Sequence, residues 1–241
     1  MASKRNNKTS VTAMMLQERA DYDAAKESKF VRRRTGLAAG GGGFAYHFRR
    51  ENDYYNLIEK ARDMDRNDAI VGTTIGRVVD NVVQNGFTLN PQTGDSKLDN
   101  DIKQRWYEEC EDPDAMDVSG EMTFQEQERI VMRQVLLDGD SIISGTEEGP
   151  LQIFESHEVG TRNRKEGTHL GVTLDKNTRT RKRYWIAKDK VGANHGRGKE
   201  TSLPLAVRDS GGLRQVFHVF DRKRSSMTRG VTSLAPVFAV T

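Results

Sequence analysis

An α+β fold, with N-terminal helices followed by antiparallel β hairpins, is predicted by three features of this 241-residue sequence. From about residue 51 to residue 137 the apolar side chains recur at helical spacing. Beyond Asp138-Gly139-Asp140 they recur at extended spacing. Two clusters of turn formers, Glu147-Glu148-Gly149-Pro150 and Asp175-Lys176-Asn177-Thr178, each separate a pair of extended runs. Helices first and strands afterwards is the order of an α+β domain rather than an alternating one.

Residues 1–50 carry few apolar anchors, an unrestrained Gly40-Gly41-Gly42-Gly43 run and the triplet Arg32-Arg33-Arg34, and are expected to form a flexible basic arm. Within it only residues 11–20, with Met14, Met15 and Leu16, offer a short helix, and their apolar positions lack a clean period. The folded domain is expected over residues 51–241. It opens with Tyr54, Leu57, Ile58 and Ala61 at i, i+3, i+4 and i+7, one apolar stripe on a helix. A second helix follows at once, with Asn67 placed as its cap and Asp68 at the positive end of its dipole. Val71, Ile75, Val78, Val79, Val82 and Val83 supply its buried face, and Asn85-Gly86 ends it. Val and Ile form helices indifferently, so residues 78–83 also read as a strand, and burial must hold the helix.

Leu98, Ile102 and Trp106, spaced by four, predict a third helix running into an acidic, exposed stretch at residues 108–117. The fourth begins at Thr123-Phe124-Gln125-Glu126, a capping box, buries Phe124, Val131 and Val135, and stops at Asp138-Gly139-Asp140. Residues 141–145 and 151–155 then form one hairpin, and residues 170–174 and 183–186 a second. A Gly- and Lys-rich loop is expected over residues 190–214. Phe217-His218-Val219-Phe220 reads as a strand, residues 221–226 as a basic loop, and the apolar segment 232–240 as the opening of a helix.

At 35% hydrophobic and 30% charged, the sequence describes a soluble protein that is not packed throughout. The single Cys110 excludes an intramolecular disulfide framework and suits a reducing compartment. No apolar run approaches the roughly 20 residues of a membrane helix, and no signal-like core follows Met1, which argues against membrane insertion and secretion. The net charge of +3 conceals segregation into +7 over residues 1–50, −14 over 51–150 and +10 over 151–241. Such asymmetry fits either nucleic-acid contact by the basic parts or packing of acidic against basic surfaces on neighbouring subunits.

The strand at Phe217, the basic run Arg222-Lys223-Arg224 and the following Arg229-Gly230-Val231-Thr232-Ser233-Leu234-Ala235-Pro236 resemble the lambda-type portal proteins of tailed bacteriophages. Asp80-Asn81-Val82-Val83 followed by Gly86, the helix from Thr123-Phe124 to Leu136-Leu137-Asp138-Gly139-Asp140, and Tyr22-Asp23-Ala24-Ala25 match that family's early region in order and spacing. None of these pieces is specific alone; their shared order is, and the likeness spans about residues 20–241.

The resemblance implies a homo-oligomeric ring, usually of about twelve copies, at one capsid vertex, through which double-stranded DNA is packaged and ejected. It implies docking to terminase, to scaffold or capsid and to neck or tail proteins, with assembly in the host cytoplasm and residence in the virion, and no membrane. A long helix follows Pro236 in that family, so this chain reads as a wing-like N-terminal portion whose stem, clip and crown lie beyond Thr241. A closed ring joins unlike faces, so the acidic middle and basic end are candidate partners. A conduit that neutralised many phosphates would grip DNA and oppose its movement. Arg179-Thr180-Arg181-Lys182-Arg183 and Arg222-Lys223-Arg224 are therefore expected at subunit or scaffold contacts.

No catalytic, metal-binding or cofactor-binding residue is assigned, and no residue is assigned to nucleic-acid contact. A metal-dependent nuclease would draw on Asp138, Asp140, Glu147 and Glu148; the plainer reading is a helix stop and an exposed turn. Gly40 to Gly43 lack the Gly-Lys-Ser/Thr ending of a phosphate loop and read as a hinge. The histidines His47, His157, His169, His195 and His218 are scattered, and Cys110 has no Cys-x-x-Cys partner, giving zinc little support. The remaining alternative is a nonspecific nucleic-acid-binding module, favoured by the basic flanks and a pI near 8.9 but accompanied by no recognition motif.

Overall fold

The computed structural model describes residues 51–147, 149–160, 167–187, 202–225 and 227–239. All lie in the compact unit Gly42–Thr241. The expected arm, with its glycine run and short helix, lies outside the described residues, as do His47, His195 and Glu148.

Helices α1 (Glu51–Asn67), α2 (Ala69–Val83), α3 (Ser96–Glu111), α4 (Pro113–Met116) and α5 (Phe124–Leu137) precede strands β1 (Asp140–Gly145), β2 (Leu151–Phe154), β3 (Thr168–His169), β4 (Val172–Leu174), β5 (Arg181–Ala187), β6 (Ser202–Ala206) and β7 (Val216–Phe220). Every strand pairing is antiparallel, in the orders β2-β1-β7 and β3-β4-β5-β6. The predicted α+β order is therefore the observed one. The two sheets share a core of Ile142, Val159, Val172, Leu174, Tyr184, Val207 and Val216.

Helix α1 buries Tyr54, Ile58 and Ala61, three of the four stripe residues, and Tyr54 and Ile58 meet Leu170 in a second cluster. Residues 78–83 are helical, not extended. The cap of α2 is Asp68, whose carboxylate accepts from the amides of Ile70 (2.9 Å) and Val71 (3.2 Å). Asn67 instead closes α1 and donates to Asp63 (2.7 Å). One residue separates the helices, so only the later side chain reaches forward to the orphaned amides. Ile75 and Val79 are buried, but Val82 stands exposed, because α2 turns only one face to its neighbours.

Helix α3 has no buried residue; its stripe reaches the domain through Trp106, edge-on to Phe124 at 5.6 Å. Both arms of the Thr123–Glu126 capping box form on α5. Phe124, Val131 and Val135 are only half-buried, however, and the fully buried residues of α5 are Gln127 and Leu137. The cause is position. Helix α5 crosses the outer face of the β2-β1-β7 sheet, where Gln134 accepts from Ser141 Oγ at 2.5 Å, and leaves an open cavity beside Ile130 and Ile153.

Both predicted hairpins are present. Leu170, expected in the second, lies instead in the β3–β4 turn, with φ +48° and Gly171 following at +78°. The expected loop over residues 190–214 contains β6, paired with β5 from Ser202↔Ala187 to Ala206↔Arg183. Pro204 in an edge strand hides that element from a periodicity reading. Segment 232–239 does not open an α-helix: Ala235 N donates to Thr232 O and Val237 N to Leu234 O, three residues back, and the 3₁₀ turn Val237–Ala239 ends it. Pro236, which has no N–H, cannot extend a ladder of longer-range bonds there.

The caps give a direct comparison. Asp68→Ala is expected to lower unfolding stability by about 1 kcal/mol, and Asn67→Ala by less than about 0.5 kcal/mol. Urea denaturation of both variants measures the difference, and equal losses would contradict the observed cap.

Candidate functional site

Two glycines bring the chain's distant parts together. Gly139, at φ +100°, ends α5 directly against residues 230–232, and a Cβ there would sit 2.5 Å from the Val231 backbone. At Gly230 a Cβ would collide with the Gly139 carbonyl. This close crossing carries Arg229 to Asp140, 89 positions away, and both residues are buried, at 1% and 0% exposure.

The Arg229 guanidinium is satisfied on every side. Nε donates to Asp140 Oδ2 (2.6 Å), and Nη1 to the carbonyls of Val159 (3.0 Å) and Leu170 (2.9 Å). Nη2 meets Asp140 Oδ1 (2.9 Å), Ser156 O (2.7 Å) and Tyr54 Oη (2.8 Å). Arginine suits the place because its planar fork carries five fixed donors. Each oxygen of Asp140 receives three donors. Oδ1 accepts from Arg229, Ser156 Oγ (2.6 Å) and the Tyr54 hydroxyl (3.2 Å); Oδ2 accepts from Arg229, Gly230 N (2.9 Å) and His218 Nε2 (3.0 Å).

Burial alone would raise the Asp140 pKa, but Arg229 and then His218 hold it well below the usual carboxylate range. Burial lowers the His218 pKa, outweighing its bond to Asp140. A neutral ring protonated on Nε2 fits both of its bonds, since Nδ1 is then free to accept from the Tyr184 hydroxyl at 3.1 Å. Burial also pushes Tyr184 up to about 12 and Tyr54 well above its ordinary value, so both phenols stay protonated.

A second ion pair lies alongside. Arg62 of α1 grips Asp138 through Nε (2.8 Å) and Nη2 (2.5 Å) and reaches Glu155 at 2.8 Å. His157, 3.1 Å from Glu155, and then Arg62 take the Glu155 carboxyl down to about 2. Glu155 and His157 also rim the cavity of about 400 Å³ between α5 and β2, with Met122, Ile130, Gln134 and Ile153.

The nuclease reading drew on Asp138 and Asp140, and the structure spends both on arginines. Glu147 is exposed on the β1–β2 turn, away from them in the chain's pairing pattern. Among the described residues no group of three His, Cys, Asp or Glu side chains is disposed to hold a metal ion. The arrangement can cross-link α1, β1, β7 and the segment 227–231; it presents no unoccupied acid, base or nucleophile. Sequence reasoning treated Tyr54 as core, Asp140 as a helix stop and His218 as one of five scattered histidines. Only Arg229, beside Gly230 in the stretch that carries the family resemblance, had a local signal.

The two basic clusters converge. Arg181 and Arg222 both stand over the Phe220 ring, at 5.4 and 5.1 Å from its centroid. Lys182 pairs with Asp175 at 2.5 Å.

A sequence model of the family described as phage portal protein, lambda family, matches residues 46–241. No curated protein matches the chain.

Arg229→Met strands the Asp140 carboxylate in the core and is expected to cost about 3–5 kcal/mol in urea unfolding. Unfolding within about 1 kcal/mol of wild type would show that the pair does not anchor the fold. His218 supplies a pH test. In the unfolded chain it takes a proton as pH falls through about 6.5. In the folded chain its depressed pKa withholds that proton, so stability is retained above that range and declines as pH falls. His218→Gln should flatten the stability decline between about pH 7 and pH 5 by up to about 1.4 kcal/mol per pH unit.

Proposed function

The chain belongs to the lambda family of phage portal proteins, and from that membership we propose that it serves as a structural subunit of the ring through which viral DNA is packaged and ejected. The family match carries this reading, because it spans every described residue from the first helix to the last 3₁₀ turn. The family is structural, and the buried centre supports a mechanical role for this member. Its donors and acceptors hold chain segments to one another, which stiffens a domain that must transmit load between neighbours.

In this reading the subunit sits at a capsid vertex, with residues 1–50 as a basic arm and residues 51–241 as a wing-like domain. Terminase docks during packaging, neck or tail proteins afterwards, and scaffold or capsid during assembly. Like subunits join through unlike faces, as a closed cyclic ring of more than two copies requires. Among the described residues no helix is long and apolar enough to cross a membrane.

Electron microscopy of the full-length product is expected to show annular particles with a central hole, of about twelve copies. Monomeric particles that bind duplex DNA with a steep salt dependence would favour the nucleic-acid-binding alternative instead.

A further inference from the structure

Charge is paired unevenly over this domain. Within the helices, Arg62, Arg129 and Arg133 each hold a carboxylate, respectively Asp138, Asp80 and Asp65. The last turn of α3 is different. Glu109 and Glu111 are exposed there and have no ion-pair partner among the described residues, and the exposed Asp114 follows on α4. This acidic end is tied to the three-stranded sheet at β2, because Asp117 bridges to Leu151 and Val118 N donates to Leu151 O at 3.2 Å.

The opposite edge of the same sheet is β7. There the Phe220 ring gathers Arg181 from β5 and Arg222 from the following loop, and Arg214 lies close enough to Arg181 to act on its charge. Arg214 and Arg222 are exposed and have no carboxylate partner among the described residues. Arg181 is half-buried; its Nη2 donates to the carbonyls of Met227 and Thr228, while its Nε is buried without a hydrogen-bond partner. Burial, and then the positive Arg222 and Arg214, lower the Arg181 pKa. Arg181 and Arg222 share one ring with Arg214 nearby, and no carboxylate lies within ion-pair reach of Arg214 or Arg222 among the described residues, which leaves a basic patch at this edge.

We propose that the Arg181–Arg214–Arg222 patch at the β7 edge receives the acidic α3–α4 end of a second copy of this chain. Glu109 and Glu111 form no ion pair with Arg214 or Arg222 of the same copy, so in this proposal each copy offers one surface to the copy before it and the other to the copy after it. That is a head-to-tail contact between unlike faces, the type that propagates around a ring. Charge complementarity selects the occupant: carboxylates clustered at one edge meet guanidiniums at the other, giving partner choice and register. The proposal deepens the ring reading and rests on it for closure, though not for the contact itself.

Sedimentation of the purified chain at low and moderate salt tests the contact. Arg214→Glu/Arg222→Glu and, separately, Glu109→Lys/Glu111→Lys change exposed side chains outside the buried centre, and circular dichroism checks that each folds. Each double variant alone is expected to associate at least about tenfold more weakly than wild type, and an equimolar mixture of the two is expected to recover association, because the unaltered acidic end of the first meets the unaltered arginine patch of the second and the two reversed faces are again complementary. Wild-type association of either variant, absence of recovery on mixing, or a wild-type chain that stays monomeric would overturn the proposal. Loss of duplex DNA binding in Arg214→Glu/Arg222→Glu with self-association intact would also overturn it, and would give the patch to nucleic acid. Recovery on mixing without annular particles would leave the contact standing and remove only the ring.

Discussion

The fold depends on one buried ion pair. Asp140 stands at the start of β1 and Arg229 on the segment that leaves the β7 loop, and their bidentate contact closes the chain over 89 positions. Taking two charges out of water costs several kcal/mol each unless hydrogen bonds complete them. Here they are complete: three donors on each carboxylate oxygen, and a partner for each guanidinium nitrogen. Because a half-satisfied version would be worse than an apolar core, the network tolerates only the arrangement in which α1, β1, β7 and residues 227–231 all arrive together. It therefore specifies which segments pack more sharply than the aliphatic core, whose residues would accept other neighbours of similar size.

Close backbone approach is the condition for that pair. Gly139 and Gly230 cross where neither has room for a methyl group, and Gly139 also needs a positive φ to end α5. The same crossing aims Gly230 N at Asp140, so the backbone joins the side chains in neutralising the carboxylate. The adjacent Arg62–Asp138–Glu155 cluster repeats the scheme nearer solvent. The helical half is thus bolted to the sheets through arginine on both sides of the α5–β1 junction. The acidic excess of residues 51–150 is partly spent inward in this way, and part of what remains unpaired, Glu109 and Glu111, lies at the α3–α4 end, whose two helices bury no side chain.

Periodicity located the helices, both hairpins and their order, because each depends on neighbours within a turn or a pleat. The Thr123 capping box and the Tyr54–Ile58–Ala61 stripe are of this local kind. Where local signals competed, the outcome turned on geometry that letters do not carry. Asn67 and Asp68 are both good caps, and the helix-to-helix turn used the second. Strand β6 was hidden by Pro204 and by the Gly- and Lys-rich composition around it, and its identity comes from pairing with β5.

For the centre itself the sequence determined the ingredients: a glycine beside each charged partner, a tyrosine on the buried stripe of the first helix, and charge of opposite sign in residues 51–150 and 151–241. It also carried enough ordered motifs to indicate the family. Only the tertiary structure decided that Tyr54, Asp140, Ser156, His218 and Arg229 meet, since no periodicity links positions up to 175 apart. It decided, too, that the chain after the acidic α3–α4 end meets the three-stranded sheet at β2, while Arg222 follows its β7 edge. The physical reason is range: hydrogen-bonded turns and apolar stripes act over a few residues, whereas burying a charge is settled by whichever distant groups the whole fold brings within about 3 Å.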